Sequence, residues 1–252
     1  MPETLLPALA ARLLGRNIII DISDEWLDSP TYNQGSCLLR FYIRTVEKLL
    51  ITWFPRIIVP CQHLVDKFSN PKIVKMTNGV NPEEFVLVPR AIAREKLGFK
   101  QDDKILLAIG NTFEGRRKEL LWETFNYVKE IDPKVILIAG KYLPNEDLPY
   151  YLGACDLALF PTSGEKNELA CCSIRVMTYL NAERVIATDD SPSEWHNLMK
   201  DCLLMGKDCK DIAKRIIEYF NNPKLRKRLE TNLKRVKKEL SWDNLIDNLS
   251  RT

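Results

Sequence analysis

Short apolar runs alternate with amphipathic segments along most of this 252-residue chain. Ile18-Ile19-Ile20 runs into Asp21, and Ile57, Ile58 and Val59 precede a polar helical stretch at residues 62–69. Residues 73–76 end at Asn78-Gly79, a turn pair that tolerates positive φ. Beyond Pro82 the rhythm sharpens. Residues 104–109 read as a buried strand, followed by Gly110-Asn111 and a helix over 116–131. That helix places Leu120, Leu121, Thr124, Phe125 and Val128 on one face. Further strands are expected at 135–139, 156–160, 184–188 and 202–205, with helices near 173–181, 193–199 and 211–220. Two more helices, at 223–240 and 242–249, close the chain. Apolar strands separated by helices predict an α/β protein with a doubly wound parallel sheet.

The same alternation holds before Pro82, but only three short strands are found there. A segment rich in Pro and Ala (residues 82–93) separates the halves. The pattern therefore divides into a partial α/β domain at 1–86, a fuller one at 87–240 and a terminal helical piece at 241–252. Ligands of such sheets bind beyond the carboxyl ends of the strands.

Composition narrows the partners. Hydrophobic residues make up 45% and charged residues 28%, enough for a packed core and against disorder. A net charge of +3 is too small to imply nucleic acid. Basic residues are uneven, with eight Lys or Arg against two Glu between positions 224 and 239, a pattern usual for a solvated helix face. Seven cysteines, none in a Cys-x-x-Cys pair, and two distant histidines (His63 and His196) do not suggest a metal site. Buried thiols in a reducing cytoplasm are expected. The apolar start is interrupted by Arg12 and lacks the basic leader of a secretory signal, and no run is long enough to span a bilayer.

The strand ends after Pro82 carry the candidate chemistry. Gly110 admits close approach of a ligand to the backbone, and the loop through Asn111 delivers Arg116, Arg117 and Lys118 to a helix N-terminus. Exposed N–H groups, the helix dipole and cationic side chains together suit a diphosphate. A second cluster runs from Pro161 through Glu165 to Ser173 and Arg175. Glu165 there can accept hydrogen bonds from sugar hydroxyls and Arg175 can reach a phosphate, although a polar surface loop with a helix cap has the same composition. Asp21, Asp24 and Trp26 follow the first strand and suit sugar or acceptor contacts, as they suit an ordinary Asx turn.

These segments together resemble the GT-B glycosyltransferases, closest to the large retaining family 4. Asn78-Gly79-Val80-Asn81-Pro82-Glu83-Glu84-Phe85 is similar to the family's Asn-Gly-Val-Asp-x-x-x-Phe. Leu107-Ala108-Ile109-Gly110 with Arg116, Leu120-Leu121, Glu123 and Phe125 resembles its phosphate-binding segment. Ala154-Cys155-Asp156 through Pro161-Thr162, Val185-Ile186-Ala187-Thr188 and Ser241-Trp242 resemble three later motifs, in the family's order. The departures are specific. One register of the family's Glu-x7-Glu pairs Glu165 with Ser173, the other Leu169 with Met177, and neither keeps both carboxylates. The Gly-x-Pro before the following strand is Ala182-Glu183-Arg184, the Arg after the first Gly is Asn111, and the phosphate Lys is Arg116 or Arg117. The strands and glycine-rich loop that precede the Asp21 region in the family are not found.

The resemblance implies a GT-B-like fold of two Rossmann-type units, the N-terminal one incomplete. It implies transfer of a sugar, of hexosyl type and with retention, from a UDP- or GDP-sugar to a glycan or lipid-linked acceptor. Gly110, Asn111, Arg116, Arg117, Lys118, Ser173 and Arg175 would hold the donor, with Glu165 and Asp24 as catalytic candidates and no metal or other cofactor. The expected setting is the cytoplasm or the inner face of a membrane. A peripheral membrane contact through residues 38–60, and a second copy or partner chain completing the first sheet, are open alternatives. So is a non-catalytic nucleotide-sugar-binding or scaffolding subunit.

Overall fold

The computed structural model describes residues 5–23, 36–83, 87–110, 115–140, 143–144, 146–162 and 173–250, with the side chains of 115, 116 and 250 excepted. Two compact units emerge, one built on Met1–Asn78 and the other on Gly79–Gly164 with Ser173–Ile246.

The first unit contains a three-stranded parallel sheet in the order β1 (Ile19–Asp21), β2 (Arg56–Val59), β3 (Ile73–Lys75). Its helices are α1 (Leu5–Leu13), α2 (Cys37–Trp53) and α3 (Gln62–Phe68). The Ser36 hydroxyl caps α2 by accepting from Leu39 N at 3.3 Å. Ile43, Val46 and Leu50 recur at helical spacing along α2 and are buried with Ile20, Ile57, Val59 and Leu64 in one core. Three short strands were expected here, and three are found among the described residues.

The second unit opens with α4 (Arg90–Leu97), which lies partly inside the stretch read from sequence as a linker. Its five-stranded sheet is wholly parallel: β4 (Lys104–Ile109), β5 (Val135–Gly140), β6 (Leu157–Leu159), β7 (Ile186–Asp189) and β8 (Leu203–Gly206). Crossovers are made by α5 (Gly115–Ile131), α6 (Leu148–Ala154), α7 (Ile174–Asn181) and α8 (Glu194–Met199). After β8 come α9 (Cys209–Asn221), α10 (Pro223–Glu239) and α11 (Trp242–Ser250). Strand order is β5-β4-β6-β7-β8. The chain thus turns one way from β4 to β5 and the other way from β6 to β7. The crevice between the carboxyl ends of β4 and β6 is the topological switch point, where sheets of this kind bind ligands.

The amino ends of the strands are fastened by a buried ion pair. Arg94 of α4 is fully buried, donating from Nη2 to Asp156 Oδ2 at 2.8 Å and from Nε to Ala154 O at 3.0 Å. Its Nη1 serves the carbonyls of Lys100 and Gln101. The same carboxylate accepts from Ile105 N at 2.8 Å and pairs with Arg90 at 2.6 Å. Asp156 therefore has an architectural task at the end of the sheet opposite to the ligand crevice.

Two of the resembling motifs meet. Val80 N donates to Leu240 O at 2.9 Å, and Trp242 N donates to Val80 O at 3.1 Å. Trp242 lies so close to Gly79 that a Cβ there would sit 2.7 Å from its indole carbon Cδ2. Only glycine fits beneath that ring.

Candidate functional site

β4 is apolar throughout its length beyond Lys104, with Ile105 to Ala108 fully buried, and it is followed by Gly110 at φ +86°. Left-handed backbone here is one reason for glycine. The other is Arg175, whose guanidinium crosses the glycine: a Cβ at 110 would lie 2.9 Å from Nε and 3.3 Å from Cζ. Arg175 is near the start of α7, the helix that follows β6 in the chain, whereas α5 follows β4. Arg117, in the first turn of α5, and Arg175 approach one aromatic ring. Their guanidinium carbons lie 5.3 and 5.6 Å from the centroid of Phe160, just beyond the end of β6. Each is within cation–π range.

Phe160 is held in turn. It is 2% exposed and meets Tyr179 and Trp195 edge-on, at centroid distances of 6.4 and 6.0 Å. The Tyr179 hydroxyl accepts from Ile109 N at 2.9 Å, tying α7 to the end of β4. Burial pushes that phenol far up, so it stays protonated. On the next strand Asp189 accepts from both Thr162 N and Thr162 Oγ1, each at 2.6 Å, which locks the ends of β6 and β7 together. Behind them His196 is 3% exposed, its Nε2 3.2 Å from Thr188 Oγ1 and its Nδ1 bonded to Ser193 Oγ. Burial lowers the His196 pKa, the nearby Asp189 opposing it in part, which favours the neutral imidazole.

The expected donor residues therefore separate. Gly110, Arg117 and Arg175 converge on the switch point. Lys118 is in the same helical turn but solvent-exposed, and Ser173 caps α7 by position without a side-chain cap bond. Asn111, Glu165 and Asp24 lie outside the described residues, as does the Arg116 side chain. Met177, one alternative for the second family carboxylate, is buried at 4% exposure. Phe160 and the Thr162–Asp189 clasp did not emerge from the sequence reading. The available signal was an aromatic residue directly before the strand-ending Pro161.

No set of three or more His, Cys, Asp or Glu residues able to hold a metal ion occurs among the described residues. The site offers instead two guanidinium groups on a rigid apolar base, a glycine backbone and the amino end of α5. That combination favours an anion carrying more than one negative charge.

Solved structures share this architecture. Anabaena HepE, determined in complex with UDP and glucose, superposes with a TM-score of 0.69 and 12% identity over 100% of this chain and 75% of that one. Sucrose-phosphate synthase from Thermosynechococcus elongatus gives 0.63 and 13% over 96% and 69% of the two chains. WaaG, a glycosyltransferase involved in lipopolysaccharide biosynthesis, gives 0.61 and 14% over 88% and 72%. The fold is that of the GT-B glycosyltransferases. Neither a protein-family model nor a curated protein sequence matches the chain. Within the GT-B fold, the crevice described above belongs to the second Rossmann-type unit, and the first unit has three strands among its described residues.

Proposed function

We propose that the chain binds a nucleotide-sugar at the switch point of its second unit and transfers the sugar to an acceptor hydroxyl. The observation that carries this reading is the convergence of Arg117 and Arg175 on Phe160 beside the bare backbone of Gly110. The GT-B fold supports it, as does the UDP-glucose bound by the structurally similar HepE.

In the proposed reaction the bond between the anomeric carbon and the diphosphate oxygen breaks, and its electron pair leaves on that oxygen. The acceptor oxygen forms the new bond to the anomeric carbon and releases its proton. Arg117 and Arg175 neutralise the charge that develops on the leaving nucleoside diphosphate, aided by the dipole of α5. With these cations in place we propose that no metal is required. Arg116, Lys118, Asn111 and Ser173 remain donor-contact candidates, with Glu165 against the sugar and Asp24 on the acceptor side. Hexosyl transfer with retention, membership of family 4 and a glycan or lipid-linked acceptor follow from the resemblance. The cysteine usage supports a cytoplasmic setting, and the hydrophobic pattern supports the division at 1–86, 87–240 and 241–252.

Met177 favours a second reading. In one of the two registers of the family's carboxylate pair the second position is this buried thioether, which cannot accept strong hydrogen bonds; in the other it is Ser173. On this reading the chain binds nucleotide-sugar without turnover and works as a subunit beside a partner. Incubation with UDP-glucose, and separately with a GDP-sugar, distinguishes the two. Release of nucleoside diphosphate, above the level of an Arg117→Ala/Arg175→Ala variant, supports transfer chemistry. Saturable binding without release supports the subunit reading and contradicts the first.

A further inference from the structure

The outer face of α2 is unlike that of the other long helices. Leu38, Phe41, Tyr42 and Trp53 are 81, 70, 49 and 52% exposed on it. Leu38, Phe41, Tyr42, Thr45 and Thr52 fall at i, i+3, i+4, i+7 and i+14, one continuous stripe about 20 Å long. The two threonines do not make it polar. Thr45 Oγ1 donates to Phe41 O at 2.9 Å and Thr52 Oγ1 to Lys48 O at 2.7 Å, so both hydroxyls are satisfied within the helix.

Within α2 the outward charges are all basic. Arg40, Arg44 and Lys48 belong to α2, and Arg56 follows it. The single acid of the helix, Glu47, is turned inward at 6% exposure and pairs with Lys67 at 3.4 Å. Among the described residues, Cys37, Arg40, Phe41 and Arg44 also line a cavity of about 440 Å³. Two guanidinium groups one helical turn apart beside an aromatic ring suit a phosphate headgroup. Among the described residues no helix is long and apolar enough to cross a membrane. Contact through α2 would be made with the helix lying flat.

We propose that α2 docks the protein on a bilayer containing anionic lipid, with Leu38, Phe41, Tyr42 and Trp53 in the headgroup–acyl boundary and Arg40, Arg44 and Lys48 on lipid phosphates. Aromatic side chains suit that boundary because their rings are apolar and the Tyr and Trp tips are wet. Apolar burial and basic charge act together, as they must for a short interfacial helix. α10 makes a useful contrast. It is richer in basic residues, but its outward positions Lys224, Lys227, Arg228, Lys234, Arg235 and Lys238 include no apolar anchor. Solvated charge accounts for that face.

Docking is independent of the donor site and is tested without nucleotide. The full chain is titrated with vesicles of phosphatidylcholine alone and of phosphatidylcholine mixed with phosphatidylglycerol. Binding is expected to the mixed vesicles only. Arg40→Gln/Arg44→Gln/Lys48→Gln should weaken it by about a hundredfold, roughly fivefold per charge. Phe41→Ser/Trp53→Ser should weaken it at least tenfold, whereas Lys227→Gln/Arg228→Gln/Lys234→Gln should leave it unchanged. If an α2 variant loses helical circular dichroism, quenching of the wild-type emission by lipids spin-labelled near the headgroup, absent in Trp53→Phe, carries the test. The proposal is overturned if the mixed vesicles do not bind, or if binding follows the α10 charges. It is equally overturned if the α2 stripe instead drives self-association that Phe41→Ser/Trp53→Ser abolishes while vesicles have no effect.

Discussion

Phe160 organises the candidate donor site without offering any polar atom to a ligand. It fills the end of β6, is wedged by Tyr179 and Trp195, and presents its ring to two guanidinium groups. Phe160→Leu keeps the apolar volume nearly intact and removes the quadrupole. Nucleoside diphosphate affinity should fall by about 1–2 kcal/mol, read by calorimetry, with the circular dichroism spectrum unchanged. His196 supplies a pH signature at the same scale. Its folded pKa is depressed, so the unfolded chain takes up a proton that the native protein does not. The stability due to neutral His196 is complete above the unfolded value of about 6.5 and is lost as pH falls below it. Thermal unfolding followed from pH 8 to pH 5 should show a falling midpoint, and His196→Gln should flatten that slope. Gly110, Arg117 and Arg175 were legible as candidates, because strand-ending glycines and basic helix starts are local signals. The role of Phe160 was not, since two helices distant in sequence meet on its ring only once the sheet is ordered.

At the scale of elements, α4 shows why a proline- and alanine-rich stretch is a poor guide to a linker. Residues 90–97 have neither a strong apolar face nor a side-chain cap, and Pro89 precedes them. What fixes the helix is Arg94, buried completely and paired with Asp156 across 62 positions of sequence. Removing one partner of such a pair leaves an uncompensated buried charge. Asp156→Ala should cost about 3–5 kcal/mol in urea unfolding. A loss below about 1 kcal/mol would show that the pair is solvated. The same residue gives the Ala-Cys-Asp segment an architectural task at the end of the sheet opposite to the crevice. Strand positions in the second unit were readable within one or two residues because fully buried strands are continuous apolar runs. α6 was not foreseen, its seven residues being too few for periodicity to register.

At the scale of the molecule, strand order decides where chemistry can occur. An order of β5-β4-β6-β7-β8 leaves one crevice at which neighbouring crossovers diverge, and Gly110, Arg117, Phe160 and Arg175 all gather there. Periodicity gave the parallel α/β class, but not this order, which depends on which strands pair. On the proposed function, this crevice holds the diphosphate of a nucleotide-sugar. Isothermal titration of the full chain with UDP, UDP-glucose, GDP and a GDP-sugar, repeated on Arg117→Ala/Arg175→Ala, tests it most directly. Saturable binding of at least one nucleotide-sugar, weakened about a hundredfold or more in the double variant, is the predicted result. Unchanged affinity in that variant, or no binding of any of the four, would contradict the account.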